Sequence, residues 1–199
     1  LEFKYGERHI EAQCKDIANY FEDRYPIFVK PANAGSSIGV SKVNDVSEIM
    51  NAVCEAYKHH DKLVVEEGIS GREIEVAILD RGDDELIASG IGEIINDDKF
   101  YSFDEKYKDS IRTKVRIAED LSDEQVHEIQ EQAKKVFRAL ECKGLSRVDF
   151  FYTNEGEICF NEINTMPGFT EHSMYPKLIM DKGIRYTDMI TALVDNAIK

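Results

Sequence analysis

Hydrophobic residues recur at helical spacing along several stretches of the chain. Together with capping signals, this pattern predicts helices over about 7–21, 45–57, 122–140 and 186–198. Two of these helices open with a capping pair, Asp45 with Glu48 and Ser122 with Gln125. The inner face of the third helix is predicted to be Val126, Ile129, Ala133, Val136 and Leu140.

Shorter apolar runs lie between the helices and predict strands. These strands are predicted over about 26–30, 63–65, 73–79, 86–94, 144–152 and 157–163. The polar, irregular run 96–112 is longer than an ordinary connection and is predicted to be a functional loop, and 166–175 is also predicted to be a loop. The order of elements indicates an α+β fold with two lobes, 1–95 and 96–199.

Composition narrows the class of protein. The 199 residues contain 25 Lys and Arg against 39 Asp and Glu, a net charge of −14, with no basic block of the kind that nucleic-acid binders carry. No apolar run approaches the ~18–20 residues of a membrane helix, so neither nucleic acid nor membrane is an expected partner. The four cysteines lack zinc-site spacing and are expected to be free, mostly buried thiols of a cytoplasmic protein. The start of the chain has neither an initiating Met nor an apolar signal core, so we expect a fragment.

A loop of small residues follows the first predicted strand. The strand ends on Lys30, and the loop to Gly39 contains Ser36 and Ser37. Small side chains let backbone N–H groups approach an anion, while a lysine ammonium supplies a compact positive charge. The loop is therefore a candidate phosphate site, although a plain Gly/Ser turn explains the same residues.

Polar side chains alternate along the predicted hairpin of 144–152 and 157–163. If the two strands pair across the turn at 154–156, one face carries Arg147, Asp149, Glu162 and Asn164. The opposite face carries Val148, Phe150 and Ile163 and is expected to be buried. Oxygen ligands of this kind suit Mg²⁺, and a neighbouring guanidinium suits phosphoryl-transfer chemistry. The alternative is a solvated, charged strand face.

Three further segments carry weaker signals. Residues 66–73 begin with two glutamates and could present backbone groups to an adenine edge and a carboxylate to a ribose. Lys106 lies in the long polar loop, where it could close over a triphosphate. Gly168 could direct an N–H at an oxyanion, and Ser173 could bind a carboxylate. Taken alone, residues 66–73 are better explained as solvated surface, and an exposed flexible loop explains the segment of Lys106 equally well.

Taken together, these blocks resemble the D-alanine–D-alanine ligase family of the ATP-grasp superfamily. The resemblance extends from about Pro26 to the end of the chain, and four blocks carry it: Lys30-Pro31 with 35–39, then 105–107, 144–151 and 162–170. It implies an ATP-grasp fold in which the nucleotide is held between antiparallel sheets of two α+β lobes. The family's N-terminal domain has no counterpart in these residues, so the isolated fragment is expected to be inactive.

The resemblance also implies ligand-binding roles. ATP is expected to contact Lys30, Ser36, Ser37, Glu66, Glu67, Ile69, Glu73, Phe100, Lys106, Phe160 and Asn161. Two Mg²⁺ ions, or Mn²⁺ in their place, are expected on Asp149, Glu162 and Asn164. Phe160 stands where the family usually has Leu or Ile, a change expected to tighten the adenine site without abolishing binding.

The implied reaction joins two D-alanines through an acyl phosphate for peptidoglycan synthesis. The catalytic residues are expected to be Arg147, Gly168, Ser36 and Tyr107, and the substrate-binding residues Arg147, Gly168, Ser173 and Met174. A homodimeric full-length protein is also implied. D-Serine, and less so D-lactate, remains an alternative second substrate, and a non-catalytic ATP-binding module remains an alternative function. The loop 100–112 has no histidine, which favours an amine over D-lactate.

Overall fold

The structure is a computed structural model that describes residues 2–4, 9–35, 37–82, 85–95, 114–170 and 173–198. The chain divides into two compact units between Ile69 and Ser70, and residues 114–198 belong to the second unit. Within the described ranges, no helix is long and apolar enough to cross a membrane.

The first unit is an antiparallel sheet packed against two helices. Its strands are β1 (Glu2–Lys4), β2 (Ile27–Pro31), β3 (Ser41–Val43) and β4 (Lys62–Glu67), in the order β1-β4-β2-β3. Its helices are α1 (Ile10–Phe21) and α2 (Ile49–Tyr57), the latter preceded by a 3₁₀ turn, Val46–Glu48. Alternate residues of β2, namely Ile27 and Val29, are buried with Ile17 of α1 and Val53 of α2 in one apolar core. The intervening β2 residues therefore face away from that core.

The second unit has a five-stranded antiparallel sheet with helices on both faces. Its strands are β5 (Arg72–Asp80), β6 (Leu86–Ile95), β7 (Lys114–Ile117), β8 (Leu145–Tyr152) and β9 (Ile158–Asn164), in the order β7-β6-β5-β8-β9. Its helices are α3 (Asp123–Ala139), α4 (Met174–Asp181) and α5 (Tyr186–Ala197). Residues such as Ile74 and Val148 pack with α3, whereas Ala77 and Leu79 pack with α4 and α5.

The unit boundary differs from the predicted lobe boundary at 95/96. Strands β5 and β6 hydrogen-bond to each other, and β5 also pairs with β8, so the residues from Ser70 onward belong to the later unit. The sequence shows where strands lie but not which partner each will choose, because pairing is a long-range property.

Most predicted elements are present, with several corrections. The capping box of α3 is confirmed, with Gln125 N–H donating to Ser122 Oγ at 3.3 Å and Ser122 N–H donating to Gln125 Oε1 at 2.9 Å. Leu140 was wrong as an inner-face residue: it caps the helix at 54% exposure, and Phe137 is buried instead. The cysteines are free, but the prediction that they are mostly buried was wrong, since Cys54 is exposed and the others are half-buried.

Candidate functional site

In the first unit, Lys30 projects from the face of β2 that lies away from the core. Its neighbours in the alternation, Val29 and Pro31, are buried. Glu66 on β4 lies on the same face, and the Lys30 ammonium nitrogen is 2.6 Å from Glu66 Oε2. The lysine side chain keeps 27% exposure, so it is held in place by a carboxylate while its charge stays open to a ligand.

The small-residue loop that follows β2 is anchored near both of its ends by consecutive histidines. His60 Nε2 is 3.2 Å from the Asn33 amide nitrogen, and His60 Nδ1 accepts a hydrogen bond from Lys62 N–H at 3.0 Å. At the other end, Gly39 has a φ of +69°, and a Cβ there would lie 2.5 Å from a ring carbon of His59. A side chain at Gly39 is therefore disfavoured by conformation, and it would also require neighbouring side chains to shift. Ser37 also adopts a positive φ, 61°, within this loop.

Replacing Gly39 with alanine is expected to distort this loop. The left-handed conformation costs an alanine ~1 kcal/mol or more, and the contact with His59 adds to that. We expect Gly39→Ala to weaken binding of a fluorescent ATP analogue by the 199-residue chain several-fold or more. Gly183→Ala is the matched control, since Gly183 also has a positive φ, +83°, but lies outside this loop, and a Cβ there meets no atom within 4 Å; equal binding by the two variants would contradict this role for Gly39.

The segment from Glu66 to Ile69 continues from the end of β4 and is held by contacts with Pro26. Gly68 N–H donates to Pro26 O at 2.8 Å, and a Cβ on Gly68 would lie 2.7 Å from the same oxygen. Glu67 is exposed, with Arg24 at 3.7 Å, and Ile69 is 39% exposed. The segment thus offers accessible polar and apolar groups, and its adenine-binding role stays a prediction.

In the second unit, the predicted hairpin pairs as the sequence indicated. Arg147 lies opposite Asn164, and Asp149 lies opposite Glu162. On its other side, β8 pairs with β5, which places Glu75 directly opposite Asp149. Four carboxyl groups therefore share one sheet face with a guanidinium, and the fourth carboxyl is Glu73, two residues before Glu75.

Arg147 is held by two carboxylates on this face. Its Nε donates to Asp149 Oδ1 at 2.8 Å and its Nη2 donates to Asp149 Oδ2 at 2.6 Å. The same Nε is 3.1 Å from Glu75 Oε1. The pKa of Arg147 is raised, because these hydrogen bonds and charges outweigh burial. The guanidinium therefore stays charged while it bridges β5 and β8.

Glu75 is the functional candidate that the sequence reasoning missed. It is only 3% exposed, and burial raises its pKa to about 7, with Arg147 opposing that rise and Asp149, Glu73 and Glu162 adding to it. Burial likewise raises the pKa of Asp149 against the opposing effect of Arg147. The signal was the alternation Glu73-Ile74-Glu75-Val76, which puts both glutamates on one face.

The predicted metal ligands have the donor chemistry of a magnesium site. Asp149 and Glu162 are cross-strand partners, and Asn164 is the next residue on that face of β9. No group of three His, Cys, Asp or Glu side chains in the described ranges is placed to hold a metal ion, and the predicted set itself consists of two carboxylates and an amide. Asn164 Oδ1 accepts Met166 N–H at 3.1 Å, and both Asp149 oxygens accept from Arg147. The oxygen ligands fit Mg²⁺ when the Asp149 carboxylate is shared between Arg147 and the metal ion.

A loop after β9 brings Gly168 and Ser173 together, as their predicted roles require. A Cβ on Gly168 would lie 2.9 Å from Ser173 Oγ, and this hydroxyl accepts Thr170 N–H at 3.1 Å. Phe169 packs its ring 5.8 Å from Tyr175 and 5.5 Å from Tyr186. The loop is therefore packed against α4 and α5. The prediction of a loop over 166–175 was wrong at its end, because α4 begins at Met174.

Three more residues predicted to contact substrate or ATP lie in the described part of the second unit: Met174, Phe160 and Asn161. Met174 packs over Gly92, next to the buried Glu75, with its Cε 3.0 Å from where a Cβ would stand. Phe160 is 48% exposed with its ring 6.1 Å from Phe150, and the extra residue of a β-bulge at this point is Asn161. Four further predicted site residues lie outside the described residues: Ser36, Phe100, Lys106 and Tyr107.

Known proteins with similar sequences are ligases. The chain is 44% identical over 198 residues to a D-alanine–D-alanine ligase of Acetivibrio thermocellus, covering 98% of this chain and 52% of that protein. It is 48% identical over 173 residues to one of Bacillus velezensis, covering 87% of this chain and 48% of that protein. The chain thus spans about half the length of the curated relatives it matches.

Solved structures agree with these sequence relatives. The VanG D-Ala:D-Ser ligase of Enterococcus faecalis superposes with a TM-score of 0.85 at 39% identity, covering 98% of this chain and 55% of that one. The D-alanine–D-alanine ligase of Coxiella burnetii superposes with a TM-score of 0.81 at 33% identity, covering 99% of this chain and 50% of that one. The α+β fold is therefore that of the ATP-grasp ligases. The family model described as D-ala D-ala ligase C-terminus matches residues 4–195, and the chain belongs to this family.

Proposed function

We propose that this chain is the nucleotide-binding and catalytic part of an ATP-dependent ligase that joins two D-alanines. The observation that carries the proposal is the shared sheet face of Glu75, Arg147, Asp149 and Glu162, with Asn164 opposite the arginine. An excess of carboxylates around one fixed guanidinium suits divalent cations bound to a phosphate group. A purely structural face would have no need to bury Asp149 and Glu75 beside each other, because each burial is costly.

The proposal assigns ATP to two sets of residues. Lys30 and the backbone of 33–39 would bind phosphates, Glu66–Ile69 would contact the adenine, and Glu73 would bind the ribose. Asp149, Glu162 and Asn164 would hold two Mg²⁺ ions, or Mn²⁺ in their place. When bound, these ions would neutralise phosphate charge and orient the transferred phosphoryl group.

The chemistry that follows relies on the chain's own donors. ATP phosphorylates the carboxylate of the first D-alanine, and the amine of the second attacks that acyl phosphate and displaces phosphate. Arg147 and the Gly168 N–H would stabilise the oxyanion of the tetrahedral intermediate. Ser173 would hold the second carboxylate, Met174 would form an apolar wall, and Ser36 and Tyr107 would assist in catalysis.

D-Alanine is the proposed second substrate, and D-serine is the competing candidate. The curated relatives favour D-alanine, whereas the structural similarity to a D-Ala:D-Ser ligase keeps D-serine in view. A single hydroxyl discriminates weakly in an apolar pocket. The test is kcat/KM for D-alanine, D-serine and D-lactate, measured by phosphate release in a full-length ligase carrying this chain. A preference for D-serine of tenfold, ~1.4 kcal/mol of transition-state binding, would reassign the substrate.

A non-catalytic ATP-binding module is the second candidate function. The presence of all three proposed metal ligands argues for catalysis instead. A module without turnover has no need to keep Asp149, Glu162 and Asn164 together. We also propose a cytoplasmic location and a homodimeric full-length protein. The free thiols of Cys14 and Cys54 fit a reducing compartment, and the dimer rests on the family resemblance alone.

A further inference from the structure

We propose that Glu75 is a positioning residue that takes over Arg147 when Asp149 turns its oxygens to a metal ion. The inference rests on the proposed function, because it requires a divalent cation on Asp149. It begins from one observation: the Arg147 guanidinium reaches carboxylates on two neighbouring strands, Asp149 on its own strand β8 and Glu75 on β5.

A metal ion at Asp149 would compete with Arg147 for the carboxylate oxygens. Both of its oxygens accept hydrogen bonds from Arg147, at 2.8 and 2.6 Å. A metal ion draws on the same lone pairs, and its charge repels the guanidinium. Metal binding at Asp149 therefore weakens at least one arginine hydrogen bond.

When that hydrogen bond weakens, Arg147 needs another acceptor. Its side chain is 21% exposed, and a largely buried guanidinium that loses its partner carries a large desolvation cost. Glu75 Oε1 already lies 3.1 Å from Arg147 Nε. A small rotation toward β5 then replaces the lost acceptor without moving the backbone.

The packing around Gly92 keeps Glu75 available for this exchange. Glu75 lies opposite Gly92 on β6, and Gly92 has no side chain to occupy the space beside it. Met174 and Leu178 of α4 fill that space, at 3.0 and 3.1 Å from the position of an added Cβ. The helix thus covers the glutamate and keeps its carboxyl group on the sheet face, within reach of Arg147.

The test measures metal affinity and the state of Arg147 separately from turnover. Free Mn²⁺ is quantified by electron paramagnetic resonance in the presence of a non-hydrolysable ATP analogue, and the Arg147 Nε–H resonance is followed by NMR. We expect Glu75→Leu to weaken Mn²⁺ binding ~10-fold or more, and Glu75→Gln, which retains an acceptor oxygen, to weaken it less. In the native chain, titration with Mg²⁺ in the absence of Mn²⁺ should shift the Arg147 Nε–H resonance. In Glu75→Leu, the same titration should broaden this resonance or shift it differently.

Glu93→Gln is the matched control. Glu93 is another buried carboxylate of the same sheet, but it pairs with Arg72 and Arg116 on the face that packs against α3. We expect its Mn²⁺ affinity to stay within twofold of the native value. Native-like Mn²⁺ affinity in Glu75→Leu would overturn this inference but not the proposed function. Equal losses of Mn²⁺ affinity in Glu75→Leu and Glu75→Gln would also overturn it, because they would identify Glu75 as a metal ligand. A native chain that binds neither nucleotide nor metal would overturn the proposed function as well.

Discussion

Glu162→Gln is expected to lower kcat at least ~10²-fold in a full-length ligase carrying this chain, since metal charge stabilisation is worth several kcal/mol. Glu162 lies directly opposite Asp149 across the β8–β9 ladder and is exposed, so it faces the ligand side of the sheet. Glutamine keeps the size and one oxygen of the side chain but removes its negative charge. The loss should therefore appear in the metal-dependent chemical step, measured as phosphate release at several Mg²⁺ concentrations.

The exposed Glu157, before β9 on the same hairpin, supplies the control. Glu157→Gln removes an equal charge at the far end of the hairpin and should leave kcat unchanged. If Glu162→Gln turned over like the native enzyme at saturating Mg²⁺, the shared carboxylate face would be a solvated surface and the proposed metal site would fail.

Arg147→Met is expected to produce the second large effect, a loss of ~10²–10³ in kcat, the scale seen when one oxyanion donor is removed. Methionine fills part of the space but leaves Asp149 and Glu75 facing each other without a cation. Breaking a buried ion pair from one side typically costs ~3–5 kcal/mol, so the free energy of unfolding should also fall. Both quantities are measured on the same preparation, by phosphate release and by chemical denaturation.

Two comparisons separate catalysis from stability in that experiment. Arg147→Lys keeps the positive charge but loses the bidentate contact with Asp149. Relative to Arg147→Met, it should therefore recover more of the free energy of unfolding than of kcat. Added Mg²⁺ should restore part of the stability of Arg147→Met, because a divalent cation replaces the missing charge. Full activity in Arg147→Lys would contradict a role that depends on guanidinium geometry.

The part of the site that follows from local alternation could be predicted from the sequence. Arg147 and Asp149 share a face because side chains alternate along a strand, and the turn at 154–156 makes β9 the hairpin partner of β8. The capping box at Ser122 is equally local, and it is present. Such features need only a few neighbouring residues to determine them.

The parts that depend on distant segments could not be predicted. Glu75 joins Asp149 only because β5 pairs with β8, across roughly 70 residues of chain, and nothing in residues 72–80 specifies that partner. The start of α4 is different, because it could have been predicted. Ser173 at the N-cap and Pro176 in the first turn are local signals of a helix start. Strands β1, β3 and β7 have three or four residues each, too few for a periodic pattern.

The packing of Phe169 between Tyr175 and Tyr186 links the Gly168 loop to the last helix. Tyr186 also donates its hydroxyl hydrogen to Phe169 O at 3.3 Å. Within α5 only Met189 is fully buried, and Val194 is 54% exposed; segments with few buried side chains are those that open at low free-energy cost. We therefore expect that opening of α5 would also loosen the loop of Gly168, so that protection from hydrogen exchange in α5 and in this loop should fall together.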